Sequence, residues 1–282
     1  MLNRTGRLRR ATGHADRGAG RIATIVAATC AVVSFGAAVS SAAIPTGSVA
    51  ELLPDLRTRA PAELYVQGSD LRLSNTIVNR GVGPLEIFPE TTDSGDCDSD
   101  GDESNDRLAF QRVFQDSADP ASPGFFVRNQ DTASNSRLVG CMVYHPEHSH
   151  WHLEDFSAYT LRSEATGQVE ARALKVSFCV IDTDHLFPAL PGSPSGFYGN
   201  HGCGRRSVEG MSIGWADTYG ASLPGQSVEI SGLPAGDYCL ISRADPSNRL
   251  QELSDGNNRR RTRISLDPAA QDVQVLPGAC QL

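Results

Sequence analysis

The feature that most limits how this chain can fold is its run of short apolar segments with alternating character, broken every few residues by turn chemistry. No window of twelve or more residues carries a helical stripe. Strands are expected at Asp70–Asn79, Leu85–Phe88, Ala109–Gln115, Leu138–Tyr144, His148–Leu161, Ala173–Ile181, Ser227–Ile230, Tyr238–Ala244 and Arg259–Leu266. Between them fall Asn79-Arg80-Gly81, Pro191-Gly192, Pro224-Gly225, Pro234-Ala235-Gly236 and Asp255-Gly256-Asn257, where glycine, proline and asparagine set turn dihedrals. The pattern predicts an all-β fold, an antiparallel β-sandwich core with long irregular loops and few short helices. Two stretches read as irregular, an Asp-rich insertion over about 91–106 and a Pro/Gly/Ser segment over 186–204.

Six arginines (Arg4, Arg7, Arg9, Arg10, Arg17 and Arg21) precede an apolar run from Ile22 to about Val39 that exits through Ser41-Ala42-Ala43. This is the layout of an export signal, so residues 1–43 are read as a signal peptide and 44–282 as one compact domain of a secreted, extracellular protein. A membrane anchor over the same run fits its small-residue exit less well, Cys30 follows Ala-Ala-Thr, a poor context for lipid attachment, and no stable membrane insertion is expected after cleavage. Loss of the signal removes six arginines and one aspartate and moves the formal charge from −8 to −13. That balance argues against nucleic acid as a partner and favours cations and small protonated amines. Cys97, Cys141, Cys179, Cys203, Cys239 and Cys280 remain, and an even number in an exported chain predicts three disulfides.

Four of the seven histidines lie within the eight residues His145–His152. On a strand, His148, His150 and His152 project from one face because alternation has a period of two. Three converging imidazoles suit copper or zinc, and His145 on the preceding turn is placed as a fourth ligand or a supporting group. Spacing alone leaves a zinc hydrolase open beside a copper redox site.

Lys175 is the only lysine among 25 basic residues, and it sits in the apolar segment Ala173–Cys179. A lysine can lose its proton when buried and act as a nucleophile, whereas a guanidinium cannot near neutral pH. The bland alternative is a lineage rich in arginine codons that kept one solvent-facing lysine.

The run from His148 to Tyr159, then Lys175-Val176-Ser177-Phe178-Cys179, then Asp217-Thr218-Tyr219-Gly220-Ala221, strongly resembles the catalytic domain of the lysyl oxidase family. The resemblance extends through Leu53-Pro54-Asp55-Leu56, Val78-Asn79-Arg80-Gly81 and Ser254-Asp255-Gly256-Asn257-Asn258, and so covers nearly all of residues 50–266. It implies a secreted homologue, of bacterial type by expectation, in which His148, His150 and His152 bind Cu(II). It further implies that Lys175 and Tyr219 join as lysine tyrosylquinone. The implied reaction is oxidative deamination of a primary amine or a lysine-containing protein by O2, releasing an aldehyde, ammonia and hydrogen peroxide. Asp155 and Asp217 are the two candidates for the base.

The same resemblance implies Ca2+ held by Asp55, Leu56, Asn257 and Asn258, a set of hard oxygen donors. A second calcium candidate is Asp96, Asp98 and Asp100 with Gly101, although Arg107 stands where a closing glutamate belongs. Two features depart from the animal enzymes: Glu147 replaces a cysteine beside the histidine strand, and the loop between Lys175 and Tyr219 is longer. An extracellular copper- and calcium-binding β-sandwich without catalysis is therefore the alternative expectation.

Overall fold

The computed structural model describes residues 50–92, 95–99, 101, 105–117, 124–145, 149–199 and 208–282, the side chains of Leu174 and Lys175 excepted. The signal-peptide reading of residues 1–43 lies outside them. In chain order the strands are β1 (Glu51–Leu52), β2 (Leu56–Thr58), β3 (Ala62–Gln67), β4 (Asp70–Asn79), β5 (Leu85–Pro89), β6 (Asp106–Gln115), β7 (Thr132–His145) and β8 (His150–Ser163). They continue as β9 (Val169–Phe178), β10 (Asp184–His185), β11 (Glu209–Met211), β12 (Trp215–Tyr219), β13 (Ser227–Glu229), β14 (Gly236–Ala244), β15 (Arg259–Asp267) and β16 (Asp272–Val275). One 3-10 turn, Asp255–Asn257, is the sole helical element among the described residues, fewer than the short helices expected.

The strands form two antiparallel sheets. The larger runs β11-β5-β6-β7-β8-β14-β15-β16, with β1 on β6 and β9 on β8. The smaller runs β10-β12-β4-β13, with β2 and β3 also on β4. Leu71, Leu73 and Ile77 of β4 meet Leu153, Phe156, Tyr159, Leu161 and Leu240 of the larger sheet in one apolar core, all but Leu153 and Phe156 being 0% exposed. Truncating one such leucine to alanine costs about 2–5 kcal/mol.

Several polar side chains cross this core in pairs. Asn75 of β4 donates from Nδ2 to Ser157 Oγ at 3.0 Å and accepts from Ser242 Oγ at 2.9 Å, tying the two sheets together. Tyr159 Oη donates to Gln226 Oε1 at 2.7 Å. Asn79 accepts from the amides of Asp55 and Gly81 and donates to the carbonyls of Gly83 and Met211, so it closes the turn after β4. A Cβ on Gly81 would fall 2.3 Å from the Leu53 carbonyl oxygen, which explains a glycine two residues after that asparagine.

Two disulfides join described cysteines, Cys97 to Cys141 and Cys239 to Cys280, and Cys179 is also disulfide-bonded. The described residues after β10 are held from Asp182, whose carboxylate accepts from the amides of Phe197, Tyr198 and Ser212. The Tyr198 hydroxyl in turn donates to buried Glu86 at 2.5 Å, and Glu86 also holds Arg112.

Candidate metal and redox centre

β7 and β8 are a hairpin whose register sets His145 opposite His150 and Val143 opposite His152. His148 lies outside the described residues. His150 and His152 fall on one face as alternation requires, and their Nε2 atoms are 2.9 Å apart. Two imidazole nitrogens bound to one ion at about 2.0–2.1 Å sit roughly 3 Å from each other, so this spacing fits a metal. The His145 and His152 rings lie 4.3 Å apart. His152 Nδ1 is 3.1 Å from Ser177 Oγ, an arrangement that fixes the ring and leaves Nε2 as the ligand atom. Sequence reasoning passed over Ser177; its only signal is its place two residues after Lys175.

Lys175 lies on β9, in the wall beside this hairpin. Ser157 pairs with Val176 but Tyr159 pairs with Ala173, so β9 holds one residue more than β8 at this point, and the bulge falls on Leu174 and Lys175. The Lys175 side chain is outside the described part. Its neighbours Ala173, Val176 and Ser177 line a cavity of about 890 Å³ that His145, His150, His152, Asp217 and Tyr219 also line.

Tyr219 ends β12, a strand the sequence pattern did not reveal. Its ring stacks on Phe178 at 3.8 Å between centroids, and its hydroxyl accepts from the Cys179 amide at 2.6 Å. Burial first, and the nearby Asp217 second, push its pKa far above the ordinary phenol value, so the ring stays a protonated phenol.

Asp217 precedes Tyr219 by two residues and shares its strand face. It borders the cavity yet is 0% exposed, and neither carboxylate oxygen has a hydrogen-bond partner of good geometry. Burial holds its pKa well above the carboxylate range, helped by Asp182 and Asp184 and opposed by the Ile181 and Thr218 amides. Glu209 is also buried, its pKa raised by burial and by Asp217 against the pull of the Val180 amide. Asp155 sits elsewhere: it has φ +59° in a break of the β8–β9 register, pairs with Arg249 at 3.6 Å and does not line the cavity.

A second cluster gathers where β2 meets the 3-10 turn. Asn257 Nδ2 donates to Asp55 Oδ1 at 2.8 Å and Asn258 Nδ2 donates to Glu252 Oε1 at 2.6 Å. Glu252 Oε2 accepts the Leu56 amide, while Arg57 pairs with Asp55 at 2.6 Å. Both asparagine amides thus turn NH2 toward carboxylates and leave Oδ1 buried without a partner. A half-turn of either amide would present oxygen instead, so the donor set fits a hard cation. Glu252 was missed in the sequence; it lies in a polar turn with no periodicity to single it out.

Of the second calcium candidate, Asp96 and Asp98 come within 4.8 Å of each other and of Asp106, counted between carboxylate oxygens. Asp100 lies outside the described residues. Asp106 is 1% exposed and opens β6, and its Oδ2 accepts the Cys97 and Asp98 amides. Cys97 is held in its disulfide and offers no thiolate.

Fold and site together define an all-β protein built around a histidine-rich candidate metal centre with a buried phenol on the same cavity. The lysyl oxidase family model matches residues 127–275, more than half of the chain, and the chain belongs to that family. Among its relatives, mouse lysyl oxidase homolog 4 is 31% identical over 126 residues, 44% of this chain and 16% of that protein. Pig protein-lysine 6-oxidase is 30% identical over 141 residues, 49% of this chain and 53% of its own length. Human protein-lysine 6-oxidase is 31% identical over 135 residues, 47% and 30% respectively. The chain therefore spans about half or less of the length of these relatives. All three are animal proteins and lend the expected bacterial origin no support.

Proposed function

We propose that this protein is a secreted copper- and quinone-dependent amine oxidase that converts primary amines, free or on lysine side chains, to aldehydes with O2. The observation that carries the reading is that Tyr219, His150 and His152 line one cavity whose wall is the strand bearing Lys175. Membership in the lysyl oxidase family supports it independently. No helix among the described residues is long and apolar enough to cross a membrane.

In this reading His148, His150 and His152 hold copper, with His145 beside them, and Lys175 and Tyr219 supply the quinone. The metal and quinone, once present, provide the two-electron oxidation. The remaining work belongs to the protein. Ser177 keeps the His152 ring oriented through Nδ1. Ala173, Val176, Ile181 and Leu223 form apolar walls that favour an uncharged amine over an ammonium. Asp217, buried at the cavity wall with a raised proton affinity, accepts the substrate's proton. Asp155 is not used, because its carboxylate is engaged by Arg249 away from the cavity.

The test is spectroscopic. Copper-loaded protein should show visible quinone absorbance, react with a phenylhydrazine and release hydrogen peroxide from a small alkylamine. Lys175→Arg should keep copper and lose all three signals, because a guanidinium stays protonated. Colourless protein that holds stoichiometric copper would instead support a binding module, and full activity in Lys175→Arg would end the role given to that lysine.

A further inference from the structure

The outward face of the larger sheet carries an arginine cluster that the redox site leaves unused. One cross-strand row runs Arg172 on β9, Thr160 on β8, Ile241 on β14 and Arg261 on β15. The next row holds Ala158, Arg243 and Arg259, and the row on the other side holds Arg162, Cys239 and Arg263. Residues paired in register point to the same side of a sheet. Those of opposite parity, including Ser157, Tyr159, Leu161, Leu240, Ser242 and Ile264, are all 0% exposed and form the inner face. The six arginines therefore share the solvent side.

Two of the six are already engaged: Arg263 binds Glu164 and Asp237, each at 2.7 Å, and Arg162 donates to the Gly167 carbonyl at 2.8 Å. Arg172, Arg259 and Arg261 are exposed and Arg243 is half-buried. Among the described residues, none of these four has a carboxylate oxygen within 4.0 Å. Arg243 and Arg259 stand directly opposite each other, an arrangement that destabilises a strand pair unless a counter-charge covers it. A chain whose predicted mature form carries net charge −13 has acidic side chains in excess, yet the two that pair on this face, Glu164 and Asp237, both serve Arg263.

The patch of four unengaged arginines extends over three strand spacings, roughly 14 Å, and about 7 Å along the strands. It is a hydrogen-bonded sheet surface with fixed arginine spacing, without exposed aromatic side chains between the arginines to insert into a lipid surface. A duplex nucleic acid, broader than the patch and charged on all sides, would face the acidic remainder of the domain within a Debye length of about 8–10 Å. A slender chain with one line of anionic groups could lie along Arg172, Arg261, Arg243 and Arg259, on the rows away from Glu164 and Asp237. We propose that this face binds a linear sulfated polysaccharide, a partner surface separate from the redox cavity.

The experiment is retention of the full-length copper-loaded protein on immobilised dextran sulfate as salt is raised, with neutral dextran as reference. Retention on dextran sulfate alone is expected, weakening steeply with salt. Arg172, Arg259 and Arg261, all replaced by Gln, should lower the slope of log affinity against log salt by about 3, close to one counterion per arginine. Replacing Arg59, Arg80 and Arg137 by Gln makes the same charge change elsewhere and should leave the slope unchanged. Thermal melts verify that both variants fold. Equal losses in the two triple variants would overturn the proposal by reducing it to net charge. So would elution of wild type alike from sulfated and neutral resin, or binding to phosphatidylserine vesicles in place of dextran sulfate.

Discussion

Calcium should stabilise this protein through the cluster of Asp55, Leu56, Glu252, Asn257 and Asn258. Without a cation the Oδ1 atoms of Asn257 and Asn258 are buried with no partner, and each such acceptor costs about 1–3 kcal/mol. A bound cation satisfies both and neutralises Asp55 and Glu252, whose carboxylates lie within hydrogen-bond reach of the same two side chains. At free calcium about 100 times its dissociation constant, binding to the folded state alone adds about 2.7 kcal/mol. For a domain of this size about 1 kcal/mol moves the midpoint by roughly 2–4 °C, so a rise of roughly 5–11 °C is expected. Scanning calorimetry in calcium chloride and in chelator measures it directly. Asn258→Ala removes one orphaned oxygen and one hydrogen bond together, so its chelated midpoint should stay near that of wild type while its calcium response disappears. Superimposable wild-type melts in calcium and chelator, or a full calcium response in Asn258→Ala, would refute the reasoning.

The redox cavity and the carboxylates behind it lead to three further outcomes. Ser177→Ala should weaken copper binding about 10–100-fold in a chelator competition, because the His152 ring loses the group that orients Nδ1. Asp217→Asn should retain copper and the visible chromophore while lowering kcat by about 10²–10⁴-fold, and it should abolish an acid limb of the pH–rate profile that lies above the ordinary carboxylate range. Glu209 bears on stability: its folded-state proton affinity is raised by burial, so the folded form holds more protons than the unfolded one above the ordinary carboxylate pKa, and stability falls as pH rises through that window. Glu209→Gln should flatten the pH dependence of the melting midpoint between acidic and neutral buffer; an unchanged slope would place the titration elsewhere.

The long strands were legible because their alternation persists. β4 matches its expected limits of Asp70–Asn79, and β14 and β15 differ only by short extensions. What escaped were strands of two to six residues, most too brief to display a period: β1, β2, β3, β10, β11, β12 and β16. Tyr219 was found by resemblance and not by pattern, since β12 is a strand only because β4 and β10 flank it. Glu252, Ser177 and Asp106 were missed for a related reason. Each acts through a partner far away in sequence or across a strand pair, and no local spacing encodes such a partner.

Period-two reading also assumes unbroken register, and both strands that build the redox cavity violate it. β8 breaks register with β9 between Leu153 and Ser157, where Asp155 takes φ +59°, and β9 bulges at Leu174 and Lys175. Bulges cost ladder hydrogen bonds and re-aim the side chains around them, so they persist where geometry is needed more than regular pairing. Here one break separates the histidine end of β8 from the segment that packs the core, and the other falls on the chain's single lysine. The phenol is fixed by contrast, stacked on Phe178 and bonded at the Cys179 amide. If Lys175 and Tyr219 are to join, the irregular strand is the partner with freedom to adjust. Restoring regular pairing by deleting Leu174 should therefore leave copper binding at His150 and His152 intact and abolish the quinone chromophore; a variant that still formed it would show that the bulge has no part in the chemistry.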